Sequence, residues 1–168
     1  MSLVGDPRYW SVAHTSAEIA AGRLSSVELV EYYLERIDSL NGRLHAYTEV
    51  YVADARLAAQ AADKAVRSGH SVGPLHGIPI AVKDVADIAG RITTGGSLVW
   101  KNRHASVTAT LVQRLLSQGM ILLGKTHTVE FTCGGWGTNT RMGTPWNPWD
   151  MNRALTPGGS SSGSGVAV

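Results

Sequence analysis

The spacing of apolar residues along this 168-residue chain switches between a helical and a strand period several times. Leu29, Val30, Tyr33, Leu34, Ile37 and Leu40 fall on one face at helical period. They follow Ser25-Ser26-Val27-Glu28, where a hydroxyl precedes a carboxylate by three positions. Each of those two side chains can bond the other's backbone N–H, so the pattern predicts a capped amphipathic helix with Gly42 as its stop. Thr15 and Ser16 predict the cap of a short helix over residues 17–21, halted by Gly22, and residues 1–14 read as an extended lead-in. The alanine-rich run 51–68 predicts a closely packing helix ended by Gly69. A further amphipathic helix is predicted over residues 106–118, with Val107, Leu111, Val112, Leu115 and Leu116 turned inward and Gly119 as its stop.

Between these helices lie short apolar runs at 46–50, 78–82 and 120–123, which predict strands. Pro79 puts the start of the second at an edge or an irregularity. Residues 126–131 are expected to form one helical turn. From Cys133 to Arg153 the chain reads as loop, and the last ~35 residues carry almost no period, which is long for a connector. Val166, Ala167 and Val168 read as the first turn of a buried element. Helices alternating with short apolar strands predict an α/β fold, with a layer of helices against a mostly parallel sheet.

Composition narrows the possible functions. A 43% hydrophobic and 17% charged chain is that of a globular protein, not a disordered one. With a net charge of +2 and scattered Lys and Arg, no nucleic-acid partner is expected. No apolar run is long enough to span a membrane, and no signal peptide is visible. The single cysteine, Cys133, excludes an intrachain disulfide and fits a reducing compartment. A cytoplasmic location is therefore expected. The histidines have no metal-ligand spacing, so neither a metal nor a cofactor is expected.

Two stretches could carry chemistry. Lys83 follows the apolar run Ile80-Ala81-Val82, where burial would favour the neutral amine, a base able to take a proton from a serine. The same position suits a lysine snorkelling at a strand end beside Asp84. The second stretch is Thr156–Val168, with Gly158 and Gly159 ahead of Ser160, Ser161 and Ser162. It reads either as a flexible Gly/Ser linker or as a loop gathering hydroxyls and N–H groups around a reacting atom. Cys133 is expected to be buried for structural reasons. Trp136, Trp146 and Trp149 are expected to fasten the long loop to the core, and Cys133, Trp136 and Met142 to line a pocket wall.

Taken together and in order, these blocks resemble the amidase signature family. Gly77-Ile78-Pro79-Ile80-Ala81-Val82-Lys83-Asp84 resembles its lysine motif, and Gly124-Lys125-Thr126 with Glu130-Phe131 its next landmark. Asn147-Pro148-Trp149-Asp150 and Pro157-Gly158-Gly159-Ser160-Ser161-Ser162-Gly163-Ser164 are similar to the approach to, and start of, the signature. The resemblance implies an α/β/α layered fold with a mixed, mostly parallel central sheet, of which residues 1–168 would be the N-terminal portion. It also implies hydrolysis of a small-molecule amide to acid and ammonia through a Ser–Ser–Lys triad and an acyl-enzyme. Lys83 would be the general base, Ser160 the bridging serine after a cis peptide bond, and Ser161 a supporting partner of the lysine, with Gly158 and Gly159 shaping the turn. The nucleophilic serine would lie beyond Val168, since Ser162 and Ser164 do not match its position. The segment alone is accordingly expected to be inactive, and a homo-oligomer is expected of the enzyme. The tRNA-dependent amidotransferases, through their amidase component, and allophanate hydrolase are the alternatives within the family. Thr128-Val129-Glu130-Phe131 lacks the Met-Asp-Glu-Phe-like run associated with that amidotransferase component, which favours a stand-alone amidase. Outside enzymes, the alternative is a non-catalytic binding or scaffold fragment.

Overall fold

The structure, a computed structural model, describes residues 5–168. Its elements in chain order are α1 (Val12–Ala20), α2 (Ser26–Leu44), β1 (Tyr47–Val50), α3 (Val52–Arg67), β2 (Pro79–Lys83), α4 (Thr110–Ser117), β3 (Ile121–Thr126) and α5 (Ser162–Ala167). Short 3-10 turns lie at Pro7–Tyr9, Leu98–Trp100 and Glu130–Thr132. The strands form one sheet in the order β1-β3-β2. β1 runs antiparallel to β3, with Tyr47 opposite Thr126 and Val50 opposite Gly124. Along β2 and β3, Ile121 N–H bonds Ile78 O and Asp84 N–H bonds Thr126 O, each at 2.9 Å, which is the order of two parallel strands. The fold is thus mixed α/β with a small mixed sheet.

The chain divides into two compact units. The first comprises residues up to 35, 51–80 and 114–123. Its core is Ile19, Leu24, Leu29 and Ile78, packed by Trp10, Tyr33, Val66, Leu75 and Met120. The start of α2 carries the reciprocal cap: Glu28 N–H bonds Ser25 Oγ and Ser25 N–H bonds Glu28 Oε2, both at 3.0 Å. A second cap comes from further along the chain, where the Asp63 carboxylate of α3 accepts the Ser26 N–H at 2.6 Å and the Val27 N–H at 3.3 Å. Ala55, Ala59 and Ala62 form the buried stripe of α3, as an alanine-rich helix allows.

The second unit comprises residues 36–50, 81–113 and 124–168 and contains everything that shapes the candidate site. Here α5 begins against the end of β3. His127 N–H bonds Ala46 O at 2.8 Å, and Gly163 N–H bonds His127 O at 3.0 Å. A Cβ on Gly163 would lie 2.2 Å from Ala46 O and 2.3 Å from His127 N, so only glycine permits this approach.

Several boundaries differ from the sequence reading, each for a local reason. α1 starts at Val12, because Ser11 Oγ caps it through His14 N–H at 3.1 Å. Thr15 lies inside the helix, with its hydroxyl on Ser11 O. α2 passes through Gly42 and ends at Leu44, where His45 takes a positive φ and the Asn41 side chain clasps the Tyr47 backbone. α4 starts only at Thr110, since Ala109 N–H is tied to Asp87 O. Val107 therefore lies outside the helix and is 66% exposed, and Leu111 and Leu116 also face outward, leaving Val112 as the buried residue of α4. The helical turn expected at 126–131 is instead the end of β3 followed by the turn at Glu130–Thr132. The expected lead-in contains the 3-10 turn and the start of α1, and residues 1–4 lie outside the described residues. Of the last three residues Val166 is buried in α5, whereas Ala167 and Val168 are exposed.

Candidate active site

β2 delivers Lys83 and Asp84 to its C-terminal end on opposite sides, as the alternation of a strand requires. Lys83 is half-buried, and burial lowers the pKa of its amine from the ordinary 10.5. Its Nζ donates to Ser160 Oγ at 2.7 Å, bridging 77 positions of sequence. The peptide bond between Gly159 and Ser160 is cis, and Gly158 takes a φ of +76°. Gly159 is hemmed in by the 134–137 loop, where a Cβ would lie 2.7 Å from Gly134 O and 2.8 Å from Gly137 N. The Ser160 carbonyl is held by two donors, Thr128 Oγ1 at 2.8 Å and Val129 N–H at 3.1 Å.

Of the residues singled out from sequence, the structure thus brings Lys83 and Ser160 into contact, with Gly158 and Gly159 forming the turn that presents the serine. Ser161 is exposed, and the bond from Lys83 goes to Ser160 rather than to it. Ser164 Oγ pairs with Thr126 Oγ1 at 2.7 Å. Ser162 is fully buried with its hydroxyl unpartnered among the described residues. Cys133, expected to be buried, is exposed. Trp136 and Trp149 do not fasten the loop either; they are 76% and 92% exposed. Trp146 does, through its indole N–H to Asp150 O at 3.1 Å and its backbone N–H to Leu44 O at 2.8 Å. Among the described residues no group of three His, Cys, Asp or Glu side chains could hold a metal, and no helix is long and apolar enough to cross a membrane.

Sequence reasoning missed the buried polar groups behind the pair. Asp84 forms an ion pair with Lys125 at 2.9 Å, with side chains 2% and 1% exposed. The Lys125 ammonium also donates to Thr93 Oγ1 at 2.6 Å and Ile92 O at 3.2 Å, and the Asp84 carboxylate accepts from the Thr94 hydroxyl and N–H. Lys83 is therefore not paired with its neighbour Asp84, whose charge is answered from β3. Asn139 lies buried in the long loop and bonds Gly96 O and Thr128 O. The only sequence signal for these residues was the Gly124-Lys125-Thr126 block, which gave Lys125 no role.

A lysine made more acidic by burial, directly bonded to a serine in a glycine turn, defines a site for moving a proton between an amine and a hydroxyl. The sequence model of the Amidase family matches residues 28–168, and the chain belongs to that family. Among curated relatives, the amidase component (the GatA-type chain) of the glutamyl-tRNA(Gln) amidotransferase of Thermobifida fusca is 39% identical over 158 residues, 94% of this chain and 31% of that protein. The indoleacetamide hydrolase of Bradyrhizobium diazoefficiens is 40% identical over 159 residues, 95% of this chain and 30% of that protein. The solved peptide amidase of Stenotrophomonas maltophilia superposes with a TM-score of 0.86 at 38% identity, covering 95% of this chain and 34% of that one. The chain spans about a third of the length of the curated relatives it matches.

Proposed function

We propose that the polypeptide carrying this segment hydrolyses carboxylic amides, R–CO–NH2 + H2O → R–COOH + NH3, with Lys83 as general base and Ser160 as the bridging hydroxyl. The observation that carries this reading is the 2.7 Å bond between a lysine whose charged form is disfavoured by burial and a serine hydroxyl. In this scheme neutral Lys83 takes the Ser160 proton as Ser160 takes that of a nucleophilic serine beyond Val168. The serine oxygen bonds the amide carbon, and the C–N bond breaks as protons return by the same route to the departing nitrogen. Water then cleaves the acyl ester by the reverse relay. The nucleophile and the donors for the carbonyl oxygen are contributed from outside residues 1–168, so the segment alone is inactive.

Two readings of the substrate remain within the family. The relatives named for tRNA amidotransfer and for indoleacetamide hydrolysis are almost equally identical to this chain. Thr128-Val129-Glu130-Phe131 favours the stand-alone amidase, acting on a small-molecule amide. The test is ammonia release by the purified full-length polypeptide alone, with indole-3-acetamide, benzamide, a C-terminal peptide amide and glutamine as probes. Lys83→Ala and Ser160→Ala are each expected to lower kcat by about 1,000-fold or more. Full activity in either variant refutes the assignment. Ammonia from glutamine alone, and only when a partner subunit is added, replaces the stand-alone reading with the amidotransferase one.

A further inference from the structure

We propose that Thr128 and Asn139 are positioning residues that hold Ser160 against Lys83; the inference rests on the proposed role of that pair. Thr128 is fully buried, and its hydroxyl donates to Ser160 O at 2.8 Å, closer than its 3.2 Å approach to the neighbouring Val129 O. The Thr128 carbonyl in turn accepts from Asn139 Nδ2 at 3.0 Å. Asn139 uses its whole hydrogen-bonding capacity: Nδ2 also donates to Gly96 O at 2.7 Å, and Oδ1 accepts the N–H groups of Met142 at 3.0 Å and Arg141 at 3.3 Å. Gly96 N–H donates to Thr94 Oγ1 at 3.0 Å, and the Thr94 hydroxyl donates to the Asp84 carboxylate.

The chain of bonds therefore runs Ser160–Thr128–Asn139–Gly96–Thr94–Asp84 and closes through the Lys83–Asp84 peptide and the Lys83–Ser160 bond. In such a ring Ser160 cannot shift from Lys83 without leaving a buried donor or acceptor unpaired. The consequence is catalytic because a proton relay depends on donor–acceptor distance, and a small misplacement is felt in the rate rather than in binding. Neither residue needs to touch the substrate.

The test uses the full-length polypeptide with Thr128→Val, which keeps shape and volume while deleting the donor, beside Thr128→Ser, which keeps the donor. Thr128→Val is expected to lower kcat about tenfold with KM unchanged, and Thr128→Ser to stay within about twofold of the parent. Hydrogen exchange at the Val129 amide, which also bonds Ser160 O, is expected to speed up in Thr128→Val and not in Thr128→Ser. Asn139→Ala is expected to share both effects, and where it fails to fold the Thr128 pair decides. A Thr128→Val protein with parental kcat, or one that loses only melting temperature, overturns the proposal. Should the parent hydrolyse no amide, the proposed function fails by itself; the exchange at Val129 then decides the positioning claim, faster exchange supporting it and unchanged exchange refuting it.

Discussion

Replacing Lys125 by methionine tests whether the ion pair behind the site stabilises the fold. The substitution keeps an unbranched chain of similar length and removes the charge. At 2.9 Å the gross attraction between Lys125 and Asp84 is about 6 kcal/mol at an effective dielectric constant of about 20. Most of that is offset by the cost of taking both ions out of water, so the pair itself has a small net effect. Removing one partner is different. Asp84 would keep the donors from Thr94 but remain a buried carboxylate without a cation, and Thr93 Oγ1 and Ile92 O would lose the donor they share. The expected loss is about 3–5 kcal/mol, which at a slope of about 2 kcal/mol per M lowers the urea midpoint by about 1.5–2.5 M. The assay is urea unfolding followed by circular dichroism and by tryptophan fluorescence, alongside Asp84→Asn and the double variant Lys125→Met/Asp84→Asn. The double variant is expected to recover at least about 1 kcal/mol relative to Lys125→Met, because the orphaned charge is gone. A Lys125→Met midpoint within about 0.25 M of the parent, or a double variant as unstable as the sum of the singles, refutes the reasoning.

Two further outcomes follow from the geometry. Gly163→Ala is expected to destabilise by about 3 kcal/mol, since its Cβ would meet backbone atoms of Ala46 and His127 that cannot swing aside; a parental urea midpoint would show that the β3–α5 approach is looser than described. For Lys83, the folded state favours the neutral amine, so between its lowered pKa and 10.5 the unfolded chain binds more protons and stability rises with pH. The destabilisation is fully present below the folded pKa and gone above the unfolded one. The same titration places the acid limb of kcat below pH 10.5, and a limb at or above that value, or one unchanged in Lys83→Ala, counts against Lys83 as the base.

Features encoded within a few residues could be read from the sequence. The Ser25–Glu28 cap and the apolar face behind it need only neighbours on one helix, and α2 forms where they predict. The same holds for the apolar strand ending in Lys83 and for the glycine turn before Ser160. The order of the motif blocks was enough to point to the family. Helical period says which residues share a face but not which face meets a neighbour, so Leu111 and Leu116 were expected inward and are found exposed. Composition likewise could not say that Cys133, Trp136 and Trp149 stand in solvent. The contacts that define the site span long stretches of chain. Lys83 meets Ser160, Lys125 answers Asp84, and Asn139 ties Gly96 to Thr128, each requiring strand pairing and loop closure to be complete first. Local chemistry, then, determined which residues could serve as base and bridge. Only the tertiary structure decided which buried partners hold them there, because a buried polar group is satisfied by whatever the fold brings within about 3 Å, irrespective of distance along the chain.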